Sequence, residues 1–409
     1  MPALSPFFML PLSFEKSAEY QGVVERAEAG SIEAQIMLGD IYGEGIGVKK
    51  DEEKSFYWYQ KAAEQGNAEA QYNLAICYYE GEGTEKNPKE GLEYFAKAAE
   101  QGMTEAQFSL GELYYHGEGV KKDVKKGIHW LTKSAEQGDA KACFSLGQSY
   151  FSGEGVERNV DYALKLLTYA AEEGLTEAQL VLAFLYYDPE AGIGVDYEKA
   201  FRWFSRLAKK KLPEAQEKLA DMHYLGQGVP QDFKKTAYWL RLASKQGVVD
   251  ATYKLGVLYA EGKGVKQNMK KAITYYKEAA EAGHDDAQFN FGNKYYLGNG
   301  VEQDYTKARH WFEKAGEQGH YSALNNLGII YLQGQCVEEN YQEAYILLQL
   351  ATNLGASLEG TASFIKELSS VLPKTVLSQA KREIKARQKK LEKHQQENLA
   401  SFGSEGFNF

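Results

Sequence analysis

The stretch MTEAQFSLGELYYHGEGVKKDVKKGIHWLTKSAEQG, residues 103–138, recurs along the chain with most of its residues kept. If the glycine that precedes it, Gly102, is counted as position 0, its equivalents lie 36 residues apart, with one interval of 37. They are Gly30, Gly66, Gly102, Gly138, Gly174, Lys211, Gly247, Gly283, Gly319 and Gly355. A fixed period of this length is the signature of a repeat architecture. Residues 31–355 therefore predict nine copies of one structural unit.

The first half of each repeat predicts a helix, called helix A, with one buried face. Position 4 is Ala, position 8 is Leu or Phe, and position 12 is Tyr or His in all nine repeats. Residues four apart lie along one stripe of a helix, so these positions form its core face. Position 9 is always Gly or Ala, which lets a second helix approach closely.

The second half of each repeat predicts a second helix, B, after a Gly-x-Gly turn. Glycine takes the left-handed conformation at a helix end without steric cost, and Asp or Asn is a preferred N-cap. The predicted N-caps are Asp51, Asn87, Asp123, Asn159, Asp232, Asn268, Asp304 and Asn340. All five tryptophans fall at one place in helix B, near position 28: Trp58, Trp130, Trp203, Trp239 and Trp311. We interpret them as core residues between the two helices rather than as a ligand-stacking ladder.

With these positions in view, the chain resembles Sel1-like repeat proteins, which are relatives of the tetratricopeptide repeats, over about residues 14–355. The resemblance implies an all-α fold, a right-handed α-solenoid superhelix of about nine helix-turn-helix repeats with capping helices. It also implies a protein–protein interaction scaffold or adaptor that binds its partner in the concave groove lined by the A helices. The cysteine-rich bacterial branch, with penicillin-binding members, has a cysteine pair in each repeat, whereas this chain has three cysteines in all.

The same reading gives domain boundaries. Residues 1–30 are an N-terminal segment with a capping helix, 31–355 are the repeats, 356–396 are C-terminal capping helices and 397–409 are a disordered tail. Pro373 is placed in the first turn of the second C-terminal helix. The one long repeat and the replacement of its closing glycine by Lys211 predict a local change of curvature at 188–213.

Composition limits the partners. The net charge of −10 argues against nucleic acid, which requires a concentrated basic surface. No apolar run is long enough to span a bilayer. Residues 374–393, however, contain eight basic residues and only two acidic ones. We interpret this segment as a cap with a solvated basic face, and contact with an acidic partner or an anionic membrane surface is the alternative.

Helix geometry selects the residues that are free to bind a partner. Position 10 lies opposite the buried stripe of helix A, and position 13, which is mostly aromatic, flanks it. The predicted partner-binding residues are Asp40, Ile76, Tyr79, Glu112, Tyr115, Gln148, Phe151, Phe184, Tyr187, Asp221, Tyr224, Val257, Asn293 and Tyr296. This acidic and aromatic set suits a partner with a basic surface or segment. For the aromatic residues at position 13, packing against a neighbouring helix is an equal alternative.

The sequence offers no catalytic constellation, no metal-ligand spacing and no cofactor motif, so we expect no enzyme, no metal and no cofactor. We expect a monomeric bacterial adaptor, with host interaction or virulence among the roles implied by the resemblance. The alternatives are a regulatory or inhibitory protein that wraps a single enzyme and, less favoured, a penicillin-binding or hydrolytic enzyme. The expected compartment is the cytoplasm, with translocation into a host cell or the periplasm as alternatives.

Overall fold

A computed structural model describes residues 17–355 and 360–405, with the side chains of all of these except 394, 395 and 398–405. In this part of the chain every regular element is a helix and there is no strand. The predicted all-α fold is confirmed. Residues 1–16 and 406–409, which include most of the predicted N-terminal segment and the end of the predicted tail, lie outside the described residues.

Twenty-one α-helices follow one another in the described residues. They are α1 (Ala18–Glu28), α2 (Ile32–Glu44), α3 (Glu52–Glu64), α4 (Ala68–Glu80), α5 (Pro88–Glu100), α6 (Thr104–His116), α7 (Val124–Glu136), α8 (Ala140–Ser152), α9 (Val160–Glu172), α10 (Thr176–Tyr187), α11 (Tyr197–Lys209), α12 (Pro213–Leu225), α13 (Phe233–Lys245), α14 (Val249–Glu261), α15 (Met269–Glu281), α16 (Asp285–Leu297), α17 (Tyr305–Glu317), α18 (Tyr321–Gln333), α19 (Tyr341–Asn353), α20 (Thr361–Val371) and α21 (Lys374–Glu405). A short 3₁₀ helix, Pro189–Ala191, follows α10. The even-numbered helices α2–α18 are the A helices, and the odd-numbered helices α3–α19 are the B helices.

The chain forms two compact units, residues 1–182 and 183–408. In the first unit, α2 packs on α3, α4 on α5, α6 on α7 and α8 on α9. The same pairing recurs in the second unit from α12 and α13 to α18 and α19. The B helices α3, α5, α7, α11, α13, α15 and α17 also pack on the next A helix. The predicted pair of helices per repeat is confirmed in both units.

Local chemistry sets the helix ends. Asp123, for example, is extended and its side chain accepts a hydrogen bond from the backbone N–H of Lys126, which satisfies a donor left free in the first turn. All eight predicted N-caps of helix B make such a bond, and Asp196 does so in the long repeat. At the other end, Gly117 closes α6 in the left-handed conformation.

The core of a repeat centres on a residue of helix B that the sequence analysis did not select. Position 29, the neighbour of the tryptophan position, carries the fully buried Leu131, Phe204 and Phe312. Trp203 and Trp311 are buried as well, but Trp58, Trp130 and Trp239 are only half-buried. The predicted close approach at position 9 is confirmed. A Cβ atom added to Gly111 would lie 2.7 Å from Cγ of Leu131.

Pairs of glutamines join consecutive repeats. Gln107 is buried, and its Nε2 donates to the carbonyl of Ala99 in the preceding helix B (3.0 Å). Its Oε1 accepts from Nε2 of Gln137 (2.7 Å), which also donates to Gly102 O (3.0 Å). Equivalent pairs join Gln35 to Gln65, Gln71 to Gln101, Gln216 to Gln246 and Gln288 to Gln318. These bonds satisfy the buried amides.

Both predicted capping regions contain helices that pack on the repeats. In α1, Tyr20, Val23 and Ala27 are buried against the first repeat. In α21, Ala380, Ile384 and Leu391 are buried, and α21 packs on α19. Pro373 lies one residue before α21 and its carbonyl accepts from Leu377 N–H.

The last helix, α21, is longer than predicted. It continues past residue 396 to Glu405, through most of the segment 397–409 for which we expected disorder. The segment contains no proline, so nothing forces the hydrogen-bonded ladder to end once it has started. The expected change of curvature at 188–213 stays a prediction.

Replacing Lys211 by glycine is expected to raise the free energy of unfolding by about 0.5–1 kcal/mol. Lys211 stands where the other repeats have glycine, and it has a φ of +67°, which is unfavourable for a residue with a Cβ atom. The neighbouring Lys210 has a φ of −75°, so Lys210→Gly should lower stability instead. Urea unfolding of both variants measures this. Equal effects would contradict backbone strain at Lys211.

Candidate functional site

The fourteen predicted partner-binding residues share one level of burial. All of them are half-buried, seven in each unit, and all lie on A helices. They are therefore neither core residues nor free surface residues. Position 10 is less exposed than predicted because it faces the next A helix of its unit, as the following contacts show.

Position 10 contacts position 7 of the next A helix, 33 residues further along the chain. Asp221 accepts hydrogen bonds from Nζ of Lys254 (2.9 and 3.0 Å). Asn326 donates to Oδ1 of Asn293 over 3.3 Å. Asp40 has a different partner, the hydroxyl of Tyr59 in its own helix B, which donates over 2.7 Å. Most polar residues at position 10 thus already have a partner within the chain.

The aromatic rings at position 13 pack on helix B of their own repeat. Tyr79 meets Phe95 with ring centroids 6.4 Å apart, and Tyr296 meets Phe312 at 6.1 Å. This favours the packing alternative, although the rings keep an accessible part. Basic side chains lie over several of them: Lys86 is 5.7 Å from the Tyr79 ring, and Arg158 is 5.7 Å from the Phe151 ring. Partner contact at these rings stays a proposal.

A second aromatic series lies on the same helices and was not among the predicted binding residues. Position 6 lies one turn before position 10, and its aromatic residues are all half-buried. They are Tyr72, Phe108, Phe144, Tyr253 and Phe289. The signal was present in the repeated motifs AQY and AQF. Of the two aromatic positions, only position 13 was predicted to contact a partner, although an aromatic residue also occupies position 6 in five repeats.

A charged network covers the A helices of the second unit. Nζ of Lys254 lies 2.6 Å from Asp250, 2.9 Å from Asp221 and 3.0 Å from Glu217. Burial raises the pKa of Glu217 to about 7. Burial alone would lower the pKa of Lys254, but its hydrogen bonds to Asp250 and Asp221 hold it above its usual value. Lys254 therefore stays charged and offsets part of the negative charge on this face.

In the first unit a cavity of about 270 Å³ opens on the A helices of the third to fifth repeats. Its lining includes Phe108, Glu112, Tyr115, Phe144 and Gln148. The structure thus brings together three predicted residues and two of the missed series. Burial raises the pKa of Glu112 above its usual value. It does the same for Asp40 on α2, although the hydrogen bond from Tyr59 opposes the effect.

One group of side chains in the described residues has the composition of a metal site. His284, Asp285 and Asp286 have ligand atoms within 4.8 Å of one another. However, Nδ1 of His284 accepts from the backbone N–H of Ala287 (3.4 Å), which leaves Nε2–H to donate to Asp250 (3.1 Å). Both ring nitrogens are engaged within the protein, so we assign no metal site here.

Two of the three cysteines are poor candidates for nucleophiles. Cys77 and Cys143 are buried in A helices. Burial raises the pKa of the Cys77 thiol to about 12 and that of Cys143 to about 11, and a protonated thiol is weakly reactive. Cys336 is exposed and takes the left-handed φ of +59° that glycine has in the other repeats.

Comparison with known proteins identifies the repeat. The Sel1 repeat family matches nine times, at residues 32–67, 68–103, 104–139, 140–175, 176–212, 213–248, 249–284, 285–320 and 322–355. A Sel1 repeat protein from Oxalobacter formigenes is 28% identical, covers 90% of this chain and 97% of its own, and has a TM-score of 0.56. The protein c5321 of uropathogenic Escherichia coli, described as a protective antigen with an SLR fold, is also 28% identical. It covers 96% of this chain and 98% of its own, with a TM-score of 0.52. A search of curated proteins gives no match. The nine consecutive matches and the helix pairs show that the chain belongs to the Sel1 repeat family.

Proposed function

We propose that this Sel1 repeat protein is a scaffold that holds a basic segment of a partner protein on its A-helix face. The observation that carries the proposal is the half-buried row of acidic and aromatic side chains at positions 6, 10 and 13. Aromatic side chains cover a large area at a low cost in conformational entropy, and tyrosine is a frequent binding hot spot. Such a row supports recognition of a polypeptide better than turnover of a small substrate.

Charge indicates where a basic segment binds. Asp221 is already paired with Lys254, so the second unit presents less free negative charge at position 10. Glu112 has no lysine or arginine ion pair among the described residues. The first unit is therefore the better place for a basic partner segment.

The compared structures support a bacterial origin and a role in contact with a host. One comes from Oxalobacter formigenes, and the other is described as a protective antigen present in uropathogenic Escherichia coli. We extend both features to this chain as part of the proposal. No helix in the described part of the chain is long and apolar enough to cross a membrane. We propose a monomer that acts in the cytoplasm, with export to a host cell or the periplasm as alternatives.

Neutralising the position-10 carboxylates is expected to weaken partner capture at least about tenfold. The variant combines Asp40→Asn, Glu112→Gln and Asp221→Asn, which keep the side-chain shapes. Capture from a bacterial lysate, followed by mass spectrometry and titration of the recovered partner, measures the loss.

The matched control removes three exposed carboxylates from B helices, with Glu53→Gln, Glu93→Gln and Glu198→Gln. It changes the net charge equally and should leave capture unchanged. Equal losses in both variants would mean that only net charge matters and would contradict the proposed face. A single stoichiometric enzyme whose activity falls on binding would replace the scaffold proposal by the inhibitor alternative.

A further inference from the structure

We propose that the cavity on α6 and α8 is an anchor pocket for one organic cation, the guanidinium or ammonium end of an Arg or Lys side chain. The inference rests on the proposed function, because that side chain would belong to the partner segment. It goes further by naming one pocket, one carboxylate and one chemical class of ligand.

The size of the cavity suits a single side chain. Its volume of about 270 Å³ lies just below the range of about 300–1,000 Å³ that holds drug-sized ligands. Phe108 and Tyr115 come from α6, Phe144 and Gln148 from α8, and Leu175 and Glu177 from the start of the fifth repeat. The pocket is therefore built by three successive repeats of one unit and opens on the A-helix face.

The carboxylate of Glu112 has an unmet requirement. Ser145 donates a hydrogen bond to this carboxylate, but its Oε1 atom is buried and has no hydrogen-bond partner in the described residues, which is rare and unfavourable for a buried polar atom. Nε2 of His116, 3.7 Å from the other oxygen, is too far for a normal hydrogen bond. A ligand with several N–H donors and a positive charge would satisfy this carboxylate and offset its loss of water.

The other carboxylates at position 10 lack this vacancy. Asp40 accepts from Tyr59 and Asp221 accepts from Lys254. Where the second unit has Lys254 at position 7, the first unit has Ser145 facing Glu112. A cation from a partner would take the place at Glu112 that the chain's own lysine takes at Asp221.

The aromatic walls favour the same ligand class. The face of an aromatic ring attracts a cation, and guanidinium groups also stack on it. Lys141 of the same lining places its Nζ 5.9 Å from the Phe108 ring, so the wall already holds a cation of the chain itself. Two carboxylates, Glu112 and Glu177, and one ammonium line the pocket, which leaves one negative charge when His116 is neutral.

The test uses n-butylguanidinium and its neutral isostere n-butylurea, titrated into the full chain by calorimetry and saturation-transfer NMR. Butylguanidinium is expected to bind with a Kd on the order of a millimolar, as a ligand of this size allows. Glu112→Gln should weaken it about tenfold or more. The control is Glu105→Gln on the same helix, which removes an exposed carboxylate outside the pocket and should change nothing. Phe144→Leu should weaken binding severalfold through the lost ring face.

The pH dependence adds a separate readout. The charged and titratable groups near Glu112 are Tyr115, His116, Glu118, Lys141 and Glu177. Because burial raises the pKa of Glu112 above its usual value, protonation should abolish binding as the pH falls, at a higher pH than for an ordinary glutamate. In Glu112→Gln this step should be absent.

Equal binding of butylurea, or unchanged binding by Glu112→Gln, would overturn the pocket assignment. Neither result depends on a partner protein. If the unmodified chain captures no partner from a lysate but still binds butylguanidinium, the proposed function alone would therefore be refuted. If capture of a partner weakens in the variant with neutralised Asp40, Glu112 and Asp221, but the chain does not bind butylguanidinium, only the pocket assignment would be refuted.

Discussion

Replacing Phe312 by alanine is expected to lower the free energy of unfolding by about 3–5 kcal/mol, the cost of a large cavity in a core. Phe312 lies at position 29 of α17 and its side chain is fully buried. Its ring meets Phe289 of helix A at 5.8 Å and Tyr296 at 6.1 Å. Each repeat is stabilised only by itself and its neighbours, so the loss should be local as well as large.

Other repeats supply the control for this prediction. Position 29 is Leu in four of them, at Leu131, Leu167, Leu240 and Leu348, so Phe312→Leu should cost only about 1 kcal/mol. Guanidinium unfolding followed by circular dichroism measures both variants, and hydrogen exchange of the α16–α18 amides measures the local effect. Similar losses for the alanine and leucine variants would show that ring contact, rather than filled volume, holds this part of the core.

Helix positions were predictable because they depend on residues close in sequence. Asp123 caps α7 and Gly117 ends α6 through bonds that span a few residues. Because the sequence repeats every 36 residues, the helix starts and ends assigned in one repeat apply to the others as well. The end of α21 was missed because polar composition alone does not locate a helix end, although Gly406, a residue type that often follows a helix, stands directly after Glu405.

Contacts between helices were harder to predict. Sequence pattern marked the tryptophan position as the core, yet its neighbour Leu131 is the residue that faces Gly111. One step along a helix turns the side chain by about 100°, and composition does not decide between adjacent apolar positions. The pairing of Gln107 with Gln137 joins residues 30 apart, which no local rule identifies, although both glutamines are plain in the repeat.

In the candidate site too, the positions of the residues were predictable from the sequence, whereas their contacts were not. The sequence treats Asp40, Glu112 and Asp221 as equivalent, because all occupy position 10. The structure separates them by what stands beside each: Tyr59, Ser145 and Lys254. Reading 33 residues ahead would have distinguished Asp221 from Glu112. The choice of Tyr59 by Asp40 depends on side-chain geometry and could not be read from spacing.

Lys254→Met is expected to lower the free energy of unfolding by about 2–3 kcal/mol near pH 8, less than the loss of one partner from a fully buried pair. Lys254 retains 32% of its exposure and lies within 3.0 Å of Glu217, Asp221 and Asp250. Methionine fills the same space but leaves three carboxylates facing one another. Urea unfolding between pH 5 and pH 8 measures the effect.

The sign of the pH dependence follows from Glu217, whose pKa is already raised to about 7. An acid with a raised pKa in the folded state is unfavourable when ionised, and the penalty disappears as the pH falls through that pKa. The loss in Lys254→Met should therefore be largest at pH 8 and shrink towards pH 5. Adding Glu217→Gln should restore about half of the lost stability at pH 8.

Lys218→Met, at the same position 7 of the preceding repeat, removes a lysine that makes no ion pair among the described residues and should cost less than about 1 kcal/mol. If both lysine variants lose equal stability at every pH, the packing of the aliphatic stems holds the A helices together and the carboxylates contribute nothing.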